Sequence, residues 1–479
     1  MLFEIHAEKS SADKKVFIYD NEKNALSDLE GNEFKFPKIE VNPNQPKASV
    51  FDIDHPLKKS KHIGLLKIQM GLSCNYSCDY CSQKFVERPE TTTAKDIAPF
   101  MKKLEVLEFH EDAGLKVEFW GGEPLVYWKT LKPLAEAIRE KFSHWKVKPQ
   151  FSIITNGSIL TPEIIDWLMM LDFSVSISHD GPGQSIRGID PFDDPIKKDL
   201  ILGFYRMMTR LKKPMSFNSM LSAKNKSRKA IYEWFVKLTG DENIALGEGS
   251  IVDAYDEDGV TNSLQTKKDH FEFRQQAFSD IHSTGGKIGF IGQINKIDDF
   301  TKSVLSQHDA KYLGQKCGMD DHHVLAVDLH GNVLTCQNVS AVEVSKNGES
   351  HLAGTLDNYD AVEIKTSTHW SSRDECPKCP VLHLCKGACM YLENKHWETS
   401  CSNAYSDNVA LFALAIQSMT GYIPTLIKND SLPLERQDIF GTHFEHLEKP
   451  IRKVFSLKVV SDFTQEIEGV QVYGKAIVQ

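Results

Sequence analysis

Three cysteines stand at C-x3-C-x2-C spacing in the stretch Gly71-Leu72-Ser73-Cys74-Asn75-Tyr76-Ser77-Cys78-Asp79-Tyr80-Cys81. A loop this short can turn three thiolates toward one point, and soft thiolates select zinc or an iron–sulfur cluster. Structural zinc closes with four protein ligands, whereas a site that binds a substrate or cosubstrate keeps one position free. Three ligands therefore point to an open site. Seven more cysteines follow much later: Cys317, Cys336, Cys376, Cys379, Cys385, Cys389 and Cys401. The chain is long, and Met1 to Lys9 lack the apolar core of a secretory signal. A reducing, cytoplasmic setting and metal ligation are expected rather than disulfides.

The elements that must position these thiols show in the apolar pattern. Ile63 to Met70, directly before the first cysteine loop, reads as a buried strand. Strand patterns recur at Val117–Trp120, Phe151–Thr155, Phe173–Ser178, Met215–Leu221 and Asn243–Leu246. Helical spacing separates them over 126–142, from Thr161-Pro162-Glu163 onward, over about 196–211 and over 227–238. Six such units imply a parallel sheet with right-handed crossovers, as an open sheet or a barrel. Ligands on parallel sheets bind at the carboxyl ends of the strands. The cysteine loop, Gly121-Gly122-Glu123-Pro124, Thr155-Asn156-Gly157 and His179-Asp180-Gly181-Pro182 all fall there. Singly each is an ordinary turn; together they form a polar rim on which Gly121, Gly122, Glu123, Asn156, Ser176 and Ser178 can hold an amine, a carboxylate or a ribose.

Around this core, Val16–Tyr19 and Glu33–Phe36 read as short strands of a small N-terminal β segment, joined onward by a linker marked by Pro37, Pro43, Pro46 and Pro56. Val324 to Leu329 and Val333 to Thr335 flank His330-Gly331-Asn332 as a hairpin. Residues 261 to 307 read as bridging helices, Asp407 to Met419 as an amphipathic helix and Val470 to Val478 as a terminal strand. Composition excludes other classes. The chain has 479 residues, 41% hydrophobic and 25% charged, which suits two or three soluble modules. It has no apolar run of membrane-spanning length. A net charge of −10 argues against a nucleic-acid partner.

The first cysteine loop, with Tyr80 before its last cysteine, the Gly121-Gly122-Glu123-Pro124 stretch and Ser178-His179-Asp180-Gly181-Pro182 resemble the radical S-adenosylmethionine superfamily. The resemblance implies an α/β fold built on a partial (β/α)6 TIM barrel. It also implies a [4Fe–4S] cluster on Cys74, Cys78 and Cys81 that binds S-adenosylmethionine through its open iron and releases a 5′-deoxyadenosyl radical on one-electron reduction. Tyr80, Gly121, Gly122, Glu123, Pro124, Asn156, Ser176, Ser178 and Arg187 are then the expected cosubstrate contacts, Arg187 pairing with the carboxylate. The later order C-x13-G-x4-C, then C-x2-C-x5-C-x3-C and a final cysteine, resembles the SPASM domain with its two auxiliary iron–sulfur clusters. By that resemblance Cys376, Cys379, Cys385 and Cys401 hold a distal cluster, while Cys317, Cys336 and Cys389 hold a proximal one. The proximal set lacks a fourth cysteine, with Asp320, Asp321, His322 and His323 nearby. Spacing alone also allows a zinc ribbon in the last five cysteines.

The expected organisation is residues 1–60 as the N-terminal β segment and linker, 61–310 as the barrel with bridging helices, 311–421 as the auxiliary-cluster domain and 422–479 as a tail. Three [4Fe–4S] clusters are expected, with a one-electron donor such as flavodoxin or ferredoxin. Proteins of this pattern mostly modify peptides. The first expectation is a maturase that forms a C–C or thioether crosslink in a precursor peptide. The second is a sulfatase-type maturase that oxidises Ser or Cys to formylglycine; Gln337, a neutral amide where those enzymes carry a basic aspartate, counts against it. A non-catalytic iron–sulfur electron-transfer protein is the third. Candidate acid–base groups are Glu248, placed after the sixth strand, and Asp328 and His330 beside the hairpin.

Overall fold

Alternation along a strand decides which side of a sheet can be covered, and here it splits the central sheet into an apolar face and a polar one. The computed structural model describes residues 1–37, 52–89 and 91–442. The linker prolines Pro43 and Pro46 and the strand expected at Val470 to Val478 lie outside them.

The chain opens with three antiparallel strands, β1 (Leu2–Ser10), β2 (Asp13–Asp20) and β3 (Ala25–Asp28), then a two-residue strand β4 (Leu57–Lys58). The β/α succession follows: β5 (Leu65–Gln69), α1 (Ile97–Lys103), β6 (Lys116–Trp120), α2 (Trp128–Lys141), β7 (Gln150–Thr155), α3 (Pro162–Met170), β8 (Phe173–Ser178), α4 (Pro195–Arg210), β9 (Met215–Leu221), α5 (Arg228–Thr239) and β10 (Leu246–Ile251). Helices α6 (Glu257–Thr261), α7 (Lys267–Thr284) and α8 (Ile291–Leu305) bridge to β11 (Val324–Asp328), β12 (Asn332–Leu334), β13 (Leu352–Thr355) and β14 (Glu363–Ile364). The short α9 (Leu382–Cys385), the long α10 (Asn394–Thr420), β15 (Ile423–Lys428) and α11 (Leu434–Gln437) complete it.

Local chemistry sets these boundaries. Thr161 accepts a hydrogen bond from the Ile164 amide with Pro162 in the first helical position, so α3 starts there. Ser227 caps α5 in the same way. α10 stops at Gly421, whose φ of 76° is left-handed.

The central sheet runs β10-β9-β8-β7-β6-β5-β11-β12-β13. Every pairing from β10 through β11 is parallel; β12 and β13 are antiparallel. On one face Leu66, Ile68, Val117, Phe119, Phe151, Ile153, Phe173, Val175, Ile177 and Phe217 are buried in one cluster with apolar side chains of α2 to α5. On the other face the register lines up Lys67, Glu118, Ser152 and Ser174 in one row, and Ile154, Ser176 and Ser216 in the next. Parallel strands covered on both sides read as nearly continuous apolar runs. These strands do not, so this face is built to meet something polar.

Two readings of the sequence need correction. The sixth strand is Leu246–Ile251, not Asn243–Leu246, because Glu248 and Gly249, at φ 60° and 68°, form a bulge within it. Glu248 is therefore in the strand, not beyond it. Glu33–Phe36 makes no strand, only a single bridge to Ser27. The hairpin expected at Val324 to Thr335 forms, and its β11 pairs in parallel with β5 and lengthens the central sheet.

The N-terminal strands form a separate sheet ordered β15-β1-β2-β3, so residues 423–428 return to the start of the chain. Tyr19 packs edge-on against Phe300 of α8 and Phe412 of α10, which fixes this sheet to the helical layer. A fully buried ion pair, Arg228 of α5 with Asp407 of α10, ties that layer to the β/α units. Among the described residues no helix is long and apolar enough to cross a membrane.

Candidate functional site

The chain leaves β5 at Met70, whose amide donates to the Trp120 carbonyl at 2.7 Å, and turns at once into the first cysteine loop. The Gly122 and Glu123 amides donate to the Gly71 and Ser73 carbonyls at 3.1 and 3.0 Å. A Cβ on Gly121 would lie 2.7 Å from the Gly71 oxygen, and one on Gly122 would lie 2.5 Å from the Ser73 oxygen. These two positions are glycine because the two loop backbones touch. Glu123 is buried, and its oxygens accept from the Leu125 and Asn156 amides at 3.1 and 2.7 Å and from the Thr155 hydroxyl at 2.7 Å. Its carboxylate, with Pro124 opening the turn after it, locks the end of β6 to the end of β7.

Asn156 extends this brace to the cysteine loop. It donates to Asn75 at 2.9 Å, and Asn75 donates to Ser158 at 2.8 Å. On the other side Tyr80 donates to Asp180 at 2.6 Å, and Arg187 donates to the Tyr80 oxygen at 2.6 Å. Arg187 lies 3.6 Å from Asp180, and its Nε is buried with no partner. Burial disfavours the guanidinium charge, but Tyr80, Asp180 and Cys78 more than restore it. A fixed cation with an unused donor thus sits beside the three thiols. Ser176 and Ser178 lie on the polar face of β8, Ser176 paired with the Ser216 hydroxyl at 2.9 Å.

The thiols fall into three groups, each visible in the mutual effect of its members. Burial pushes Cys78 up to about 12; Arg187 opposes this, while Cys81 and Cys74 add to it. Burial, then Cys385, Cys401 and Cys379, raises Cys376. Burial likewise raises Cys336 to about 11, with Cys317 adding, and Cys389 to about 12, with Asp253 and Cys336 adding. Bare thiols so placed stay protonated until a cationic centre neutralises them, which suits a metal cluster. Among the described residues no three of these sulfurs lie within 4.8 Å of one another. Thiolate sets of this kind suit an iron–sulfur cluster or zinc.

Folding joins the groups in a way the sequence does not show. Gln69, at the end of β5, donates to the Gln337 and Val339 carbonyls at 2.7 and 2.6 Å, so the strand entering the first thiol loop also holds the chain next to Cys336. Asn21 of the N-terminal sheet donates to the Pro377 and Cys379 carbonyls at 3.0 and 2.9 Å. Arg436 donates to the Cys401 sulfur at 3.4 Å. The tail beyond residue 422 thus contributes to the four-thiol group.

The candidate acid–base residues separate here. Asp328 accepts from the His330 and Asn332 amides at 2.9 and 3.0 Å and from the Asn332 side chain at 2.8 Å, so it closes its own hairpin. Asp320 is held by the Gln315 amide at 2.6 Å, while His322 and His323 bond the Lys58 and His62 carbonyls. Glu248 is exposed within the bulge of β10. Beside it lies a group the sequence reading missed. Burial raises the Asp253 carboxyl, Lys316 lowers it, Glu248 raises it, and hydrogen bonds with Ser400 and Tyr255 pull it back. The Tyr255 hydroxyl donates to the Cys389 sulfur at 3.4 Å. Only proximity in the fold marks Asp253, Tyr255 and Lys316, since no motif contains them.

Residues 68–212 match the family model described as the radical SAM superfamily. The chain carries a radical SAM domain. Among curated proteins it is similar to the radical SAM cyclopropyl synthase TigE of Paramaledivibacter caminithermalis, 24% identical over 179 residues, which cover 35% of this chain and 37% of that protein. It is also similar to the GTP 3′,8-cyclase of Haemophilus influenzae, 26% identical over 140 residues, covering 28% of this chain and 39% of that one. The chain spans little more than a third of the length of these relatives. Among solved structures, native anSMEcpe with bound AdoMet and Cp18Cys peptide shares the fold. It has 18% identity and a TM-score of 0.51, over 75% of this chain and 99% of that one. The radical SAM match begins at Ile68, within β5, and contains the cysteine loop, the Gly121–Pro124 turn and Arg187.

Proposed function

We propose that this protein is a radical S-adenosylmethionine enzyme that crosslinks a precursor peptide through a C–C or thioether bond. The supporting observation is the single strand β5, which carries the first three-thiol loop at its end and grips the backbone beside Cys336 of the second three-thiol group. Two incomplete thiol sets flank one polar sheet face, and an extended peptide is the kind of substrate that reaches both. In this reading Cys74, Cys78 and Cys81 hold the radical-generating cluster. Cys317, Cys336 and Cys389 hold the proximal cluster, and Cys376, Cys379, Cys385 and Cys401 the distal one, within a SPASM-type region of 311–421 that follows a barrel of 61–310. Residues 1–60 and 422–479 form its flanks, and a flavodoxin or ferredoxin supplies electrons. When bound, the cosubstrate and its cluster supply a hydrogen-abstracting radical, and the auxiliary clusters accept the electron left over.

The chain's own residues do the rest. Arg187 offers its unused Nε–H to the cosubstrate carboxylate, with Tyr80 and Asp180 fixing its plane. Asn156, Ser176 and Ser178 face the remaining polar groups, while Gly121 to Pro124 set the wall that Glu123 braces. Asp253, its pKa raised by burial, takes the proton released as the bond forms, with Glu248 and Lys316 beside it setting its charge. Arg187→Leu removes a charge-assisted contact of about 1.5–3 kcal/mol, so S-adenosylmethionine binding should weaken by roughly 10- to 150-fold in equilibrium dialysis. An unchanged Kd would take Arg187 out of the site.

Mass spectrometry of a candidate peptide coexpressed with the enzyme tests the reaction. The expected product has lost two hydrogens, resists fragmentation between the joined residues and is not captured by a hydrazide. Hydrazide capture would reveal an aldehyde and favour the formylglycine reading.

A further inference from the structure

We propose that His62, Glu108 and His110 form a binding site for a zinc-class divalent transition-metal ion, separate from the cysteine groups. These are the only three donors among the described residues whose ligand atoms, one from each side chain, lie within 4.8 Å of one another. The His62 Nδ1 lies 2.7 Å from the His110 Nε2, and the His62 Nε2 lies 3.1 Å from a Glu108 oxygen. The two imidazoles are tilted at a centroid distance of 4.8 Å.

Backbone pairing, not chance contact of long side chains, sets this arrangement. The Ile63 amide donates to the Glu108 carbonyl at 3.1 Å, and the Glu108 amide donates to the Lys61 carbonyl at 2.8 Å. His62 and Glu108 are thereby opposed in a parallel bridge, and His110 stands two residues on, on the same side of an extended segment. His323 adds a further tether through the His62 carbonyl at 2.8 Å.

Two imidazoles and one carboxylate are a borderline donor set that suits zinc and its neighbours; calcium and magnesium ask for six or more oxygens. Ligands about 2.0–2.2 Å from a tetrahedral ion sit roughly 3.3–3.5 Å apart. The two contacts use different nitrogens of the His62 ring, so to take one ion the half-exposed His62 and Glu108 side chains turn until a single His62 nitrogen faces both partners. A hydrogen-bonded imidazole pair also presents at least one neutral nitrogen, the form a metal takes. Three protein ligands leave the fourth position to water.

The site lies at the start of β5, the end opposite the cysteine loop. A bound ion would staple the chain entering β5 to the segment leading into β6, adding stability that rises with metal concentration.

Calorimetric titration of the iron-loaded holoenzyme with zinc chloride tests this. One equivalent should bind, with a matching rise in Tm. Glu108→Gln and His110→Gln should each weaken binding at least about tenfold. The double variant His62→Ala/His110→Ala should lose that equivalent while keeping its iron content and circular dichroism. Zinc binding of undiminished stoichiometry and affinity in the double variant, or no binding by the wild type at micromolar zinc, would overturn the proposal.

Discussion

Replacing Cys74, Cys78 and Cys81 with alanine is expected to leave a folded protein that has lost about a third of its reconstituted iron and forms no 5′-deoxyadenosine above the no-enzyme baseline. The three thiols lie in a loop outside the strands, and that loop is anchored by bonds the variant keeps: Gly71 to Gly122, Ser73 to Glu123 and to the Tyr127 hydroxyl at 2.7 Å, and Asn75 to Ser158. Loss of the thiols therefore removes the metal ligands without removing the supports. The remaining iron should stay, because the other two groups sit on different elements. Those elements are held by Gln69, by Asn21 and by the N-terminal sheet. Metal analysis alongside the cosubstrate assay separates these effects. Full loss of iron would mean that the groups assemble as one unit.

The second large effect is expected at Asp253. Asp253→Asn should cut peptide product by about 10²- to 10⁴-fold, the usual range for losing a general base, while S-adenosylmethionine is still cleaved. The substitution keeps size and most hydrogen-bonding capacity, so the Ser400 and Tyr255 contacts survive in part. Asp253→Glu should recover some product. A working carboxylate gives a rate that falls as pH drops. Burial raises the Asp253 carboxyl, so its ionised form is lost on acidification sooner than an ordinary aspartate would lose it. The acid limb of product formation should therefore lie above that of a free carboxylate and vanish in the asparagine variant. Equal product from Asp253→Asn and wild type would assign the proton to another group, with Glu248 next in reach.

Much of the β/α order was legible because its strands alternate cleanly. Phe173–Ser178 and Met215–Leu221 are observed at the bounds their patterns suggest, and Thr161-Pro162 marks the start of α3. What stayed hidden has physical reasons. The sixth strand, β10, carries Gly247, Glu248 and Gly249, residues of poor strand propensity that a bulge accommodates, so the pattern points to the residues before it. β1 alternates Phe3, Ile5 and Ala7 inward, but its partner β15 lies more than 400 residues away. The thiol motifs are compact and self-announcing. Which carboxylate meets them is not, because Asp328 is spent on a turn while Asp253 reaches the Cys389 neighbourhood only through the packing of α10 on the strand ends. Glu123 shows the same limit: its place in a recognisable motif says nothing of the three internal bonds that occupy it.

In the proposed reaction the first thiol loop drives hydrogen abstraction from a peptide. The most direct measurement uses a precursor peptide fully deuterated at its candidate positions, incubated with reduced, cluster-loaded enzyme and S-adenosylmethionine. One deuterium should appear in 5′-deoxyadenosine for each crosslinked peptide formed. Unlabelled 5′-deoxyadenosine together with unchanged peptide would contradict the account.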